Sequence, residues 1–214
     1  MTETRPSVPS WWLFPFKPVR VRESIFESID PQKYILEKKY DGWRALLIAG
    51  PVPTLWTREK TRIDMPDNLR PQIESLNLPD GTVLDGEIWT PEKRGAWRHN
   101  KGVDCRLTLW DAIRSGKRDL SALPLEARRT ELESLLGAGT RDVGIVEWLP
   151  ADAASYATVR AEAESFREQA QSRSGFIHGA VLKRRGSPRR DHAVRCVEHA
   201  DWLKIVVDGM NSGA

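Results

Sequence analysis

From Tyr34 to Val207 the chain is a succession of short apolar segments of strand length, broken by Asp-Gly pairs and Pro-containing turns. Residues Tyr34–Gly50 read as two strands around Asp41-Gly42, and Thr54–Thr57 reads as a third. Thr82–Leu84 and Glu87–Trp89 flank a second Asp-Gly pair. Arg106–Ile113, Val143–Trp148, Phe176–Lys183 and Trp202–Val207 complete the strand candidates. Only two stretches are helical in character. Pro124–Leu136 opens on Pro, carries Leu125, Leu132, Leu135 and Leu136 as an approximate apolar stripe, and stops at Gly137. Asp152 is placed to cap a longer helix running to about Gln171. A doubly wound parallel sheet needs a helix between most strands, and this chain has too few. The expected fold is α+β, with antiparallel β-sheets flanked by helices.

The 214 residues are enough for one large domain, and a single domain is expected behind a loose, polar, Pro-containing arm over residues 1–10. No apolar run approaches the roughly 20 residues needed to span a bilayer. The aromatic stretch Ser10–Phe16 lacks the basic start and small-residue cleavage site of a secretory signal. Two cysteines, Cys105 and Cys196, are too few for a disulfide framework, so a cytoplasmic setting without membrane contact is expected. A net charge of +3 says little alone, but its distribution says more. Arg184, Arg185, Arg189 and Arg190 crowd one stretch beside Lys183, and a phosphate backbone would favour such a patch. A solvated loop is the bland alternative. His192, Cys196 and His199, with His178 upstream, have spacing that zinc could use, but no C-x-x-C pair supports it.

The run Glu37-Lys38-Lys39-Tyr40-Asp41-Gly42-Trp43-Arg44 contains the pattern K-x-D-G-x-R. A lysine amine attacks phosphorus only when deprotonated, so it needs nearby cations or desolvation to lower its proton affinity. An arginine in the same run offers a planar fork for phosphate or ribose oxygens, and a glycine lets backbone approach a ligand closely. Lys38 is the rival nucleophile. Neighbouring strand side chains face opposite sides, so only one of the pair can enter a given site, and the spacing to Asp41-Gly42 selects Lys39. An ordinary hairpin with a charged turn is the structural alternative.

This run resembles the nucleotidyl-acceptor motif of the covalent nucleotidyltransferase superfamily, which includes ATP-dependent DNA ligases, RNA ligases and mRNA capping enzymes. Further similarities follow in the family's order: Thr57-Arg58, Leu84-Asp85-Gly86-Glu87-Ile88, Leu109-Trp110-Asp111, Gly179-Ala180-Val181-Leu182-Lys183 and Trp202-Leu203-Lys204. Leu123-Pro124-Leu125 leading into Arg128-Arg129, and Arg184-Arg185-Gly186-Ser187-Pro188, resemble DNA ligases in particular. The resemblance spans roughly Phe14 to Val207. It implies an ATP-dependent DNA ligase adenylation domain that acts on nicked duplex DNA. RNA ligation, guanylyl capping and a non-catalytic nucleic-acid-binding module on the same fold are the alternatives.

The resemblance also implies roles. Lys39 would attack the α-phosphate of ATP and carry AMP covalently, and Mg²⁺ or Mn²⁺ would bridge phosphate oxygens. Glu37 would lie near the adenine edge, Trp110 would stack on adenine, and Arg44 and Arg58 would hold ribose or strand phosphates. Glu87 would contact ribose or metal, Lys204 would neutralise the α-phosphate, and Lys183 would assist. Three departures stand out. The fourth motif carries His178 where the family has Glu, so the metal position is filled by an imidazole, which prefers softer metals than Mg²⁺. The last motif has Val206 where a second Lys is usual. Family ligases continue into an OB-fold that orients pyrophosphate, whereas this chain stops soon after Val207, so a partner protein is one expected source of that function.

Overall fold

A computed structural model describes residues 13–90, 103–169 and 177–207. Among these residues twelve strands form two sheets. The strands are β1 (Lys17–Arg20), β2 (Tyr34–Tyr40), β3 (Trp43–Ile48), β4 (Thr54–Thr57), β5 (Arg62–Ile63) and β6 (Val83–Trp89). They continue with β7 (Arg106–Ser115), β8 (Arg118–Asp119), β9 (Val143–Ile145), β10 (Leu149–Pro150), β11 (Ile177–Arg184) and β12 (Glu198–Val206). Among the described residues three α-helices accompany them: α1 (Leu69–Ser75), α2 (Leu125–Leu136) and α3 (Ala153–Gln169). The first sheet runs β1-β12-β11-β2-β10, and the second runs β5-β4-β3-β6-β7-β8 with β9 also paired to β7.

The α+β class expected from the sequence is the fold observed, with one refinement. β1 lies parallel to β12 and β9 parallel to β7, while the other pairings are antiparallel. Each sheet buries its own core. Ile177, Ala180 and Leu182 of β11 pack with Tyr156, Val159 and Ala163 of α3, so α3 covers the outer face of the first sheet. Alternation along β3 sends Ala45 and Leu47 into the second sheet's main core with Leu132 and Leu136 of α2, and Leu46 to the other face with Trp56 and Val83.

The Asp41-Gly42 pair does not close a hairpin. β2 pairs with β10 and β11, whereas β3 pairs with β4 and β6, so these two residues carry the chain from one sheet to the other. The segment expected as one strand over Val143–Trp148 crosses in the same way. Its first half pairs with β7, and Leu149–Pro150 then pairs with β2. Asp85-Gly86 is no turn either. It sits inside β6 at a register shift, and a Cβ on Gly86 would come 2.4 Å from the carbonyl oxygen of Thr108. The expected cap forms: the Asp152 carboxylate accepts the Ser155 N–H at 2.7 Å. The expected end of that helix near Gln171, Phe176 and the arm over residues 1–10 lie outside the described residues. The sequence reading missed α1, in which Pro71 occupies the first turn, where its missing N–H is tolerated.

A buried charge network ties the sheets together. Arg44 of β3 holds Asp85 of β6 through Nε at 2.9 Å and Nη2 at 2.5 Å. Arg128 of α2 grips both oxygens of Asp111 at 2.8 and 3.0 Å. Arg189, in the segment linking β11 to β12, reaches Asp85 at 2.8 Å, Asp111 at 3.1 Å and Asp191 at 2.8 Å. Burial alone would raise both carboxyls, but Arg44, Arg128 and Arg189 outweigh it and hold Asp85 and Asp111 below the usual carboxylate range.

Candidate active site

Between the two sheets lies a cleft of roughly 1460 Å³, larger than the ~300–1,000 Å³ usual for small-molecule sites. Lys39, Glu37, Arg44, Arg58, Glu87, Trp110, His178, Lys183 and Lys204 all line it. The first-sheet wall is built by register. Lys39, Gly179 and Val206 stand side by side across β2, β11 and β12, and Glu37, Val181 and Lys204 form the next row. Gly179 has φ of +155°, and a Cβ there would lie 1.9 Å from the Ile205 carbonyl oxygen, so the position requires glycine. Val206 leaves the row beside Lys39 apolar.

The two lysines of the motif part company as strand alternation demands. Lys38 turns outward to Glu162 of α3 at 2.7 Å, while Lys39 faces the cleft. Lys39 Nζ lies 2.6 Å from His178 Nε2, and His178 Nδ1 lies 3.3 Å from Asp41 Oδ1. His178 enters this position through the register shift between Ile177 and Gly179 and is only 4% exposed. Across the cleft, Glu87 Oε1 accepts the Gly42 N–H at 3.0 Å. Burial pushes the Glu87 carboxyl up to about 7, against the pull of Lys39, the Gly42 N–H and Arg44. A Cβ on Gly42 would meet the Ile88 carbonyl oxygen at 2.2 Å, so this crossing also needs glycine.

Deeper in the cleft, Glu37 bonds Lys183 at 2.6 Å and accepts the Trp148 indole N–H at 2.8 Å. Burial pushes Glu37 up and Lys183 down, and their mutual attraction opposes both shifts. Lys183 Nζ also lies 4.1 Å from the Trp202 ring centre and 5.5 Å from that of Trp110. The indole N–H groups of Trp110 and Trp202 are buried without a hydrogen-bond partner among the described residues. Lys204 is pushed down by burial. Arg58 is half-exposed and pairs with Glu59 at 3.1 Å.

Two arginine expectations need correction. Arg44 lines the wall, but three of its five N–H donors are engaged by Asp85 and the Phe16 carbonyl, so it braces the site more than it offers a free fork. Arg189 is no nucleic-acid contact: its side chain is 0% exposed inside the ion-pair network. Arg184, Arg185 and Arg190 are about half-exposed, lie outside the residues lining the cleft, and pair with Asp201, Glu126 and Asp201.

The metal expectation at Glu87 and His178 fits poorly. Among the described residues no three His, Cys, Asp or Glu side chains gather as a metal site. His178 Nε2 is turned to Lys39, His178 Nδ1 lies beside Asp41 in a charge contact short of a hydrogen bond, and one oxygen of Glu87 is engaged by backbone. The residues present therefore do not form a protein-held metal site. The zinc candidates are engaged locally. His192 Nδ1 accepts the Val194 N–H, His199 Nδ1 accepts the Asp201 N–H, and Cys196 Sγ lies 3.8 Å from the Arg58 carbonyl.

No family model matches the chain. The SPbeta prophage-derived DNA ligase-like protein LigB of Bacillus subtilis (strain 168) is 25% identical over 201 residues, covering 87% of this chain and 68% of that protein. Among solved structures, the mycobacterial DNA ligase D complexed with ATP and MES aligns with a TM-score of 0.67 at 22% identity, over 91% of this chain. The chain spans 60% of that protein. The ATP-dependent DNA ligase from bacteriophage T7 in complex with ATP aligns with a TM-score of 0.56 at 17% identity, over 91% of this chain and 69% of the phage protein. The chain thus has the nucleotidyltransferase fold of ATP-dependent DNA ligases and resembles a DNA ligase-like protein in sequence.

Proposed function

We propose that the chain is the adenylation domain of an ATP-dependent DNA ligase. The observation that carries this reading is the convergence of Lys39 with the other motif side chains on one cleft between two sheets. In this reading the Lys39 amine attacks the α-phosphorus of ATP. A nitrogen–phosphorus bond forms, the bond to the bridging oxygen breaks, and pyrophosphate leaves with the electron pair. AMP then passes to the 5′-phosphate of a nick in duplex DNA, and the adjacent 3′-hydroxyl displaces it. Such chemistry is mostly positioning and charge neutralisation. Trp110 supplies a flat apolar face for the base, a contact of about 1–3 kcal/mol by analogy with stacking on nucleic-acid bases. Lys183 and Lys204 supply positive charge along the triphosphate. Mg²⁺ or Mn²⁺ arriving with the nucleotide would offset triphosphate charge, and the side chains lining the cleft would add few ligands of their own. Use of ATP and the free thiols of Cys105 and Cys196 are consistent with a cytoplasmic setting.

The test is incubation with α-labelled ATP and Mg²⁺ or Mn²⁺, beside a Lys39→Ala variant, followed by denaturation. Label on the parent and none on the variant supports the reading. No label on folded, AMP-free protein with either metal refutes it. Nicked duplexes of DNA and RNA then divide the substrate: sealing confined to RNA would overturn the DNA assignment.

A further inference from the structure

We infer that His178 is the general base that deprotonates Lys39 for adenylation, with Asp41 as the residue that stabilises the resulting imidazolium. The inference rests on Lys39 being the nucleophile proposed above. Three observations carry it. Lys39 Nζ lies 2.6 Å from His178 Nε2, within proton-transfer reach. His178 Nδ1 lies 3.3 Å from Asp41 Oδ1, a charge contact short of a hydrogen bond, from which the carboxylate can stabilise the imidazolium that forms when Nε2 takes a proton. The imidazole is 4% exposed, so water has little access to the base itself. The Lys39 contact takes up the Nε2 lone pair that a metal ion would otherwise use on this side of the ring.

The step balances as follows. Neutral His178 takes one proton from the Lys39 ammonium and becomes imidazolium, stabilised by the Asp41 carboxylate. The freed lone pair forms the bond to the α-phosphorus as pyrophosphate departs. The second proton, made acidic by the new nitrogen–phosphorus bond, leaves with pyrophosphate. A relay of this kind answers the apolar Val206 in the same row as Lys39. With no second lysine cation there to lower the amine's proton affinity, a base in contact does the work instead.

The ionisable groups lining the same cleft include Glu37 of β2, Asp41 at the crossing, Arg44 of β3, Glu87 of β6, Lys183 of β11 and Lys204 of β12, with Arg58, Glu59, Asp64 and Asp104 on the second-sheet side. From the outer face, Glu162 of α3 is engaged by Lys38. Glu87 titrates near neutrality, so its limb must be told apart from that of His178.

The experiment is single-turnover formation of Lys39-AMP by the full chain across pH 5 to 9, at several Mn²⁺ and Mg²⁺ concentrations. The variants are His178→Ala, His178→Gln, Asp41→Asn and Glu87→Gln, each checked for folding by thermal melting. Removing the base is expected to slow labelling on the order of 100-fold and abolish the limb at imidazole-range pH, and added imidazole is expected to restore His178→Ala. Asp41→Asn is expected to slow labelling less and to move that limb, while Glu87→Gln keeps it. If the His178 variants retain the limb, or are restored by more metal and not by imidazole, the inference is overturned and His178 is a metal ligand. If the parent labels normally and His178→Gln matches it at every pH, the inference fails while the ligase reading stands. If no variant or parent labels, both fall together.

Discussion

Replacing Glu87 by Gln should make the protein more stable at neutral pH, although it removes a motif residue. Glu87 is half-buried, and desolvation pushes its carboxyl from an ordinary 4.5 up to about 7, so the folded state holds its proton more tightly than the unfolded chain does. Stability from that proton is fully present below pH 4.5 and is lost as pH rises through 7. At 1.36 kcal/mol per tenfold change in proton affinity, the loss amounts to about 3 kcal/mol. A glutamine stays neutral throughout, and its amide oxygen can still accept the Gly42 N–H that Glu87 Oε1 accepts at 3.0 Å. Urea unfolding followed by fluorescence of the nine tryptophans gives the comparison. The variant should match the parent near pH 4.5 and exceed it by about 3 kcal/mol at pH 7.5. A difference between the two proteins that does not change with pH would refute the reasoning, because it would show that Glu87 has the same proton affinity folded and unfolded.

Three other outcomes are expected. Arg189→Ala should cost about 1.5–3 kcal/mol in the same unfolding assay, because Asp85 and Asp111 each lose one of two arginine partners and keep the other, and the salt slope of DNA binding by the surviving folded fraction should not change. Lys38→Ala should keep covalent AMP labelling and lose no more than about 1 kcal/mol, since its pair with Glu162 is partly exposed; loss of label would return Lys38 as nucleophile. Gly179→Ala should both destabilise the chain and lower labelling, as its Cβ would strike the Ile205 carbonyl, and a neutral result by thermal melting would refute the fit described for β11.

The elements that sequence disclosed best were those whose signals are local. Gly137 and Asp152 mark helix ends through their own backbone and side-chain bonding, and strand lengths follow from apolar runs. Which strands pair is a long-range matter, and there local signals misled. Asp41-Gly42 reads as a hairpin turn, yet it joins two sheets, because each flanking strand finds better apolar partners elsewhere: Leu36 with α3, and Ala45 and Leu47 with α2. The motif order placed nine side chains that the fold gathers on one cleft. It misplaced Arg189, since charge runs look alike whether they face solvent or buried aspartates whose distance along the chain is large. The contact of Asp41 with His178 was hidden for the same reason: the two are far apart in sequence and meet only through the β2–β11 register.

The hydrogen bond from the Gly42 N–H to Glu87 has a mechanical consequence. Lys39 belongs to one wall of the cleft and Glu87 to the other, and Gly42 lies on the crossing between them. This 3.0 Å contact therefore ties the crossing next to Lys39 to the strand that carries Glu87. It strengthens when Glu87 is ionised and weakens when the carboxyl is protonated. The tie between the crossing and β6 is therefore tighter in alkaline solution and looser in acid, so the anchoring of the Lys39 strand end is graded by pH at a residue that need never touch the reacting phosphorus.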